Sequence, residues 1–282
     1  MRIKFLILSV FTFLSFQALA GGGWPQKKGK GYFKVGQFAL IASRYYNPEG
    51  NKIRIEPKIS LFTTSLYGEY GLTDKLTIVG YVPFFTRSIL NNLQRRDGEF
   101  VEGNQLTSFG DTDIGIKYGL ITDKPIVVSA SLILGLPFGN PGGPETSSLQ
   151  TGDGEFNQKL IIEASKSLYP IPAYVSVLVG INHRTEGFSE EFHYGIEAGY
   201  TYKSITAIAK LSGVESFMNG LTGDNSQQSV FGNNIEFLMF SPEFSYEFKS
   251  KKAGFTAGTS IALSGRQVLA SPAYTAGVYL KI

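Results

Sequence analysis

Apolar and polar side chains alternate along most of this chain, and the clearest case lies between Phe109 and Pro137. From Asp111 to Leu120, one face carries Asp, Gly and Lys and the other carries Thr, Ile, Tyr and Leu, a period of two that predicts a β-strand. After a turn signal at 122–125, the alternation resumes from Ile126 to Leu136. Each arm has the length of about ten residues that a strand needs to cross a membrane, with one face suited to hydrocarbon. The stretch therefore predicts a transmembrane hairpin.

The same unit repeats along the chain, and the connections between its copies alternate strictly between long and short. We predict strands at about 31–41, 58–70, 76–85, 111–120, 126–136, 156–168, 173–182, 192–202, 205–213, 234–248, 254–264 and 273–282. The long, polar connections are 43–54, 86–108, 138–155, 183–191, 214–230 and 265–272, and the short ones are 71–75, 121–125, 169–172, 203–204 and 249–253. Long external loops and short periplasmic turns are typical of bacterial outer-membrane barrels.

Aromatic residues beside the short turns add a second regularity, which resembles an interfacial aromatic girdle. These residues are Tyr70, Tyr118, Tyr169, Tyr200, Tyr202, Tyr246 and Phe248. A soluble β-sandwich would explain the alternation but would require neither regularity. The predicted fold is therefore all-β: a transmembrane, antiparallel, up-and-down β-barrel of about 12 strands.

Two positions make more local predictions. A two-residue turn at Lys203-Ser204 would place Glu197 directly opposite Lys210, a favourable cross-strand pair. Pro242 lies inside a predicted strand and cannot donate a ladder hydrogen bond, so a bulge or a local break is expected there.

The N-terminus has the pattern of a secretory signal peptide, with Arg2 and Lys4 before an apolar run and Ala18-Leu19-Ala20 at its end. We predict cleavage after Ala20, which leaves a flexible lead over 21–30 and the barrel over 31–282. Removal of two cations takes the formal net charge from +3 to +1, so nothing indicates a nucleic-acid partner. Mean hydropathy of +0.00 fits a barrel, where lipid-facing and lumen-facing residues cancel.

Several of these stretches resemble a known family. The motif FGDTDIGIKY at 109–118, LGLP at 134–137, LQTGDG at 149–154 and YGLTDKL at 70–76 are similar to the outer-membrane family labelled meta-pathway of phenol degradation, which is distantly akin to uptake barrels for fatty acids and aromatic hydrocarbons. The resemblance implies an outer-membrane channel or transporter-like barrel that passes or binds a small aromatic or amphipathic molecule. Those uptake barrels carry a folded N-terminal plug, for which the lead at 21–30 is too short.

The candidate site is the inward face of the barrel. Its predicted lumen-lining residues are Asp111, Asp113, Lys117, Lys159, Glu163, Glu197, Lys210 and Glu243. Asp111 and Asp113 are carboxylates of the kind that bind divalent cations, but alternating acids also suit a wet lumen, and we predict neither a metal nor a cofactor.

Two alternative functions stay open on the sequence. External loops would serve a structural or surface-binding barrel, and His183 and His193, with Ser189, Glu190 and Glu191 nearby, would admit a lipid hydrolase at the rim. Strand parity points His183 outward and His193 inward, which disfavours a shared site. The expected location is the outer membrane of a Gram-negative bacterium, with lipid, lipopolysaccharide, the barrel-assembly machinery and a small solute as partners. We also expect the loop at 138–155 to control access to the lumen.

Overall fold

The computed structural model describes residues 22–142, 149–221 and 233–282, so the predicted signal peptide lies outside the described residues. The described strands are β1 (Gly31–Tyr46), β2 (Lys52–Gly71), β3 (Leu76–Leu90), β4 (Leu93–Gln94), β5 (Phe100–Val101), β6 (Asn104–Ser108), β7 (Thr112–Ile121), β8 (Ile126–Leu136), β9 (Asn157–Ser167), β10 (Ala173–Arg184), β11 (Glu191–Tyr202), β12 (Ile205–Ser216), β13 (Glu236–Glu247), β14 (Ala253–Arg266), β15 (Val268–Leu269) and β16 (Ala273–Lys281). Within these ranges, no helix is long and apolar enough to cross a membrane.

Twelve of the strands form a closed antiparallel barrel in the order β1, β2, β3, β7 to β14 and β16. Closure is made by β1, whose Gly36 lies opposite Ser65 of β2 on one side and Gly277 of β16 on the other. A closed barrel leaves no open edge, so its backbone donors and acceptors are paired along the ladders, as a lipid environment requires. The predicted fold class is confirmed.

The first three strands reach further on the long-loop side than the alternation indicates. Arg44, Tyr45 and Tyr46 pair with residues 52–54, so the connection predicted at 43–54 shrinks to 47–51. The connection predicted at 86–108 contains the short ribbon β4–β5 and the strand β6, which pairs with β3. Polar side chains do not prevent backbone pairing, and the alternation that marks a strand is imposed only where one face meets hydrocarbon.

The strand registers bear on both local predictions. Thr201 pairs with Thr206 and Glu197 with Lys210, so the two-residue turn at Lys203-Ser204 is confirmed. No bulge forms at Pro242, which lies opposite Ala209 of β12, but the expected local break is present on the other side, where Ser241 and Pro242 have no ladder partner in β14.

On the other side of the strand, the register with β14 is the same before and after Pro242, since Phe240 faces Ile261 and Glu243 faces Gly258. The register shift lies earlier, between Leu238 and Met239. The missing N–H of the proline thus interrupts the ladder with β14 at Ser241 and Pro242 without shifting its register.

Side-chain exposure separates the two faces of the wall, because lipid-facing residues count as exposed when no lipid is present. Ile116 is 47% exposed and its neighbour Lys117 only 1%, while Leu132 is 45% exposed and Ser129 0%. The predicted inward and outward faces are therefore confirmed here. The girdle residues are all among the exposed large side chains: Tyr70, Tyr118, Tyr169, Tyr200, Tyr202, Tyr246 and Phe248.

Candidate functional site in the barrel interior

A buried lysine on β7 holds two carboxylates together across the interior. Lys117 Nζ lies 3.3 Å from Glu69 Oε1 on β2 and 3.5 Å from Glu163 Oε2 on β9. Glu69 also accepts a hydrogen bond of 2.6 Å from the hydroxyl of Tyr67. Removing charges from water costs several kcal/mol per ion unless partners replace the water, which explains the dense bonding. In the wall, β3, β7 and β8 lie between β2 and β9. Glu69 and Glu163 therefore reach Lys117 through the interior of the barrel and not along the sheet. We call Lys117, Glu69 and Glu163 the buried cluster.

The start of the described chain covers this cluster from inside the barrel. The carbonyl of Gly22 accepts a hydrogen bond of 2.8 Å from Lys117 Nζ, and the N–H of Gly23 donates one of 2.7 Å to Ser165 Oγ. Gly22 has a φ of +59°, and a Cβ at this position would lie 2.8 Å from Ser176 Oγ. Only glycine combines that backbone conformation with so close an approach to the wall.

The rest of the lead is anchored as well. The ring of Trp24 packs edge-on against Tyr174 with a centroid distance of 5.6 Å. Gln26 donates a hydrogen bond of 2.8 Å from Nε2 to Glu69 Oε2, which ties the lead to the buried cluster. Residues 22–30, for which the sequence predicts flexibility, thus have defined contacts with the wall, since buried charges and hydroxyls there use backbone groups of the lead as partners.

Opposite the buried cluster, the interior contains a cavity of about 100 Å³ between β1, β11 to β14 and β16. Three predicted lumen residues, Glu197, Lys210 and Glu243, line this cavity. Glu243 accepts a hydrogen bond of 3.3 Å from Lys34 Nζ. Glu197 accepts one of 2.7 Å from the hydroxyl of Tyr174. This open side thus has its own polar network, and we call the space the lumen cavity.

Lys210 differs from the other lumen cations. It faces Glu197 across β11 and β12 as the sequence predicts, yet no carboxylate oxygen of the described residues lies within 4.0 Å of its Nζ. A smaller neighbouring cavity is lined by Gly22 and Glu163 and shares Glu197, Lys210 and Ser212 with the lumen cavity. Lys210 therefore lies where the two spaces meet.

A second charged cluster lies near the end of the barrel that carries the long loops, which we call the external end. Arg184 is 6% exposed and donates a hydrogen bond to Glu155, and its guanidinium lies 2.7 Å from Glu191 Oε1 and 3.5 Å from Asp153 Oδ2. His193 Nε2 lies 2.8 Å from the second oxygen of Glu191. Burial and the neighbouring Asp153 carboxylate raise the pKa of Glu155 to about 9 despite the arginine.

Asp111 and Asp113 take separate roles. Asp113 pairs with Lys159 at 3.2 Å on the inner wall. Asp111 accepts hydrogen bonds of 2.9 Å and 2.8 Å from the backbone N–H groups of Gly139 and Asp153, which ties the predicted access loop to the start of β7. Burial and the Asp153 carboxylate raise the pKa of Asp111 to about 8. Among the described residues, no group of three or more His, Cys, Asp or Glu is arranged to hold a metal ion.

Apolar side chains fill part of the interior at the external end. They come mainly from β1, β2, β13 and β14 and from β15, whose Val268 and Leu269 pair with Tyr46 and Tyr45 of β1. The set, called here the external apolar cluster, comprises Leu40, Ala42, Tyr45, Tyr46, Ile55, Ile59, Leu61, Val214, Ile235, Phe237, Met239, Ala262, Val268, Leu269, Ala270 and Ala273. The sequence pattern predicts a plain loop at 265–272, although the apolar run at 268–270 is a signal for burial.

The two histidines do not build a hydrolytic site. His183 is exposed and its Nδ1 lies 2.8 Å from Glu190 Oε1, whereas His193 is buried, as strand parity indicates. The hydroxyl of Ser189 donates a hydrogen bond of 2.9 Å to Asn219 Oδ1 and so is not directed at an imidazole. A nucleophile needs its base within hydrogen-bond reach.

Four charged residues of the interior are absent from the lumen-lining set that the sequence predicts. Glu69 and Lys34 lie on predicted strands beside the outward-facing Tyr70 and Val35, so parity alone identifies them as inward. Glu155 and Arg184 fall in predicted loops, where parity carries no information. Their roles follow from how the strand ends converge.

Comparison with known proteins bears on the fold. No family model and no curated protein sequence matches the chain. Among solved structures, the chain is similar to the COG4313 outer membrane channel from Pseudomonas putida F1, at 15% identity and a TM-score of 0.62 over 93% of this chain and 98% of that one. It is also similar to the NanC porin, at 9% identity and a TM-score of 0.50 over 89% of this chain and 100% of the porin.

The closed wall and its apolar outer face define the class of this protein: it is an outer-membrane β-barrel with the fold of outer-membrane channels. Both structural relatives share that fold across almost their full length.

Proposed function

We propose that this barrel is an outer-membrane channel that binds or passes a small amphipathic or aromatic molecule. The observation that carries the proposal is the arrangement of the interior. The external apolar cluster lies next to the lumen cavity, and Met239 belongs to both. A molecule with an apolar body and a polar head would meet a matching surface in each part. The resemblance of the strand and turn motifs to the phenol-degradation family supports the same class of solute.

Within this proposal the interior charges have two roles. Lys34, Glu197, Lys210 and Glu243 line the path of the solute. The charges on the other side, Asp113, Lys117, Lys159 and Glu163, are paired and buried, and they shape the wall. The predicted lumen-lining residues thus fall into an accessible group on the side of the lumen cavity and a buried group on the opposite side.

The access loop at 138–155 narrows the external entrance in this proposal. Its described ends are held inward: Gly139 bonds to Asp111, and Leu149 and Thr151 are 1% and 0% exposed. A lumen of about twelve strands is small enough for one loop to matter. On the outside, the exposed apolar belt suits membrane lipid and the external loops suit lipopolysaccharide, while the final strand β16 would be the signal for the assembly machinery.

Planar-bilayer recordings test the channel. The purified barrel should conduct ions above the empty bilayer, and deletion of residues 139–148 should raise the conductance. Liposome swelling with small amphipathic solutes then measures their passage. If the parent, the loop deletion and a variant without residues 22–30 all assemble but none conducts, the protein is not a channel.

A further inference from the structure

We propose that Lys210 is the anchor of an internal binding site for a small organic anion with an apolar body. This names the substrate class of the proposed channel and rests on that function. The geometry that points to it is a single unpaired ammonium group at the junction of two cavities, beside apolar side chains.

The charges around the lumen cavity show which group is left for a ligand. Lys34 and Glu243 form an ion pair, with 3.3 Å between Nζ and Oε2. Glu197 accepts the hydroxyl of Tyr174 at 2.7 Å. Lys210 alone among these charges has no partner in the described part of the chain within hydrogen-bond or ion-pair distance. An ammonium in a partly enclosed space gains most from an anionic acceptor, since charge-assisted hydrogen bonds are the strong ones.

The other cations inside the barrel provide the contrast. Lys117 has two carboxylates within 3.5 Å, Lys159 has Asp113 at 3.2 Å, and Arg184 has three acidic neighbours. Each of these cations is buried, whereas the lumen cavity opens onto Lys210. Among these described cations, Lys210 is therefore the one that an incoming anion reaches without displacing an internal carboxylate.

The walls of the cavity define the rest of the ligand. Phe38, Ile208, Met239 and Pro242 supply apolar surface, and hydroxyl-bearing residues such as Thr275 supply polar points. Small-molecule sites are typically apolar with few convergent polar groups. Glu197 and Glu243 already accept hydrogen bonds from Tyr174 and Lys34, whereas the ammonium group of Lys210 has its donors available, so the site suits a negative head group on an apolar body.

Calorimetry on the full-length barrel in detergent tests this inference, with benzoate as the probe and empty micelles as the blank. Benzylammonium and benzyl alcohol match its ring but carry a positive or no charge. Benzoate should bind most tightly, and Lys210→Gln should weaken it by about tenfold or more, because a hydrogen bond to a charged group is lost. Lys210→Arg should keep most of the affinity. Lys249→Gln, at an exposed turn, is the matched control.

Heat-modifiable migration in gels confirms that each variant is folded. If Lys210→Gln does not assemble, the preference of the parent for benzoate over benzylammonium still decides the point. Equal binding of the three probes, or benzoate affinity unchanged in folded Lys210→Gln, would overturn the site. Conductance recordings keep the proposals apart: a conducting parent without benzoate binding retains the channel and rejects the site. Benzoate binding by a barrel that conducts neither as the parent nor as either deletion variant rejects the channel alone.

Discussion

The buried cluster and the lumen cavity use the same residue types in opposite states. Lys117 is 1% exposed and touches two carboxylates and the carbonyl of Gly22, while Lys210 lies in an accessible cavity with no ion pair among the described residues. Both lysines point inward from transmembrane strands, and each has a glutamate near it: Glu197 is the cross-strand partner of Lys210, and Glu163 lies 3.5 Å from Lys117. Lys117 differs from Lys210 in having carboxylates from β2 and β9 within ion-pair distance, with the N-terminal lead lying over them. Whether an inward charge is buried in an ion pair or stays accessible from the cavity thus depends on the groups that lie over it inside the barrel.

The largest effect is expected when the buried cluster loses its cation. Lys117→Met would leave Glu69 and Glu163 buried without their partner, and we expect a loss of about 3–5 kcal/mol in the free energy of unfolding. Urea titration of the folded barrel measures it. Lys210→Met is the matched control, and it should cost much less because it removes no ion pair. Similar losses from both variants would show that the two lysines have equivalent surroundings.

A smaller loss is expected from a charge on the outer face next to the same cluster. Ile116→Arg places a guanidinium against hydrocarbon, which costs about 2–4 kcal/mol at the membrane midplane. The fraction of assembled barrel and its urea midpoint should both fall. Ser241→Arg, which faces the lumen cavity, is the control and should assemble better. Ser129 is an unsuitable inward control, since it is 0% exposed and leaves no space for a longer side chain.

Removing the lead tests directly whether it makes one side of the interior inaccessible. Deletion of residues 22–30 should expose the buried cluster to water and raise single-channel conductance relative to the parent. Trp24→Ala removes the contact with Tyr174 but keeps the backbone of the lead, and it should have a lesser effect. Identical conductance of the deletion variant and the parent, both assembled, would mean that the path lies wholly on the Lys210 side.

A pH dependence is expected at the external end. The pKa of Asp111 is raised to about 8 and that of Glu155 to about 9, so both hold a proton more tightly in the folded chain than in the unfolded one. Their contribution to stability is therefore greatest below their ordinary pKa near 4 and falls as pH rises through about 8 to 9. The urea midpoint should decrease from pH 6 to pH 9, and Asp111→Asn should reduce that decrease. A midpoint that rises over this range would contradict the assignment.

The sequence by itself determined the wall of the barrel. A strand alternates its side chains with a period of two, and lipid on one face makes that period visible as chemistry, so Ile116, Lys117 and Ser129 could be assigned to their faces directly. The turn at Lys203-Ser204 also followed from local parity, and with it the position of Glu197 opposite Lys210.

Only the tertiary structure decided how the interior is filled. The lead between Gly22 and Lys30 docks on side chains from β2, β9 and β10, and β15 buries Leu269 against β1, although neither segment shows a regular period. Lys117 and Lys210 are alike in their alternating strand context, and only distances to strands far away in sequence distinguish them. Periodicity records which face a residue occupies, while ion pairing and burial depend on the separation of groups across the lumen, which no local pattern encodes.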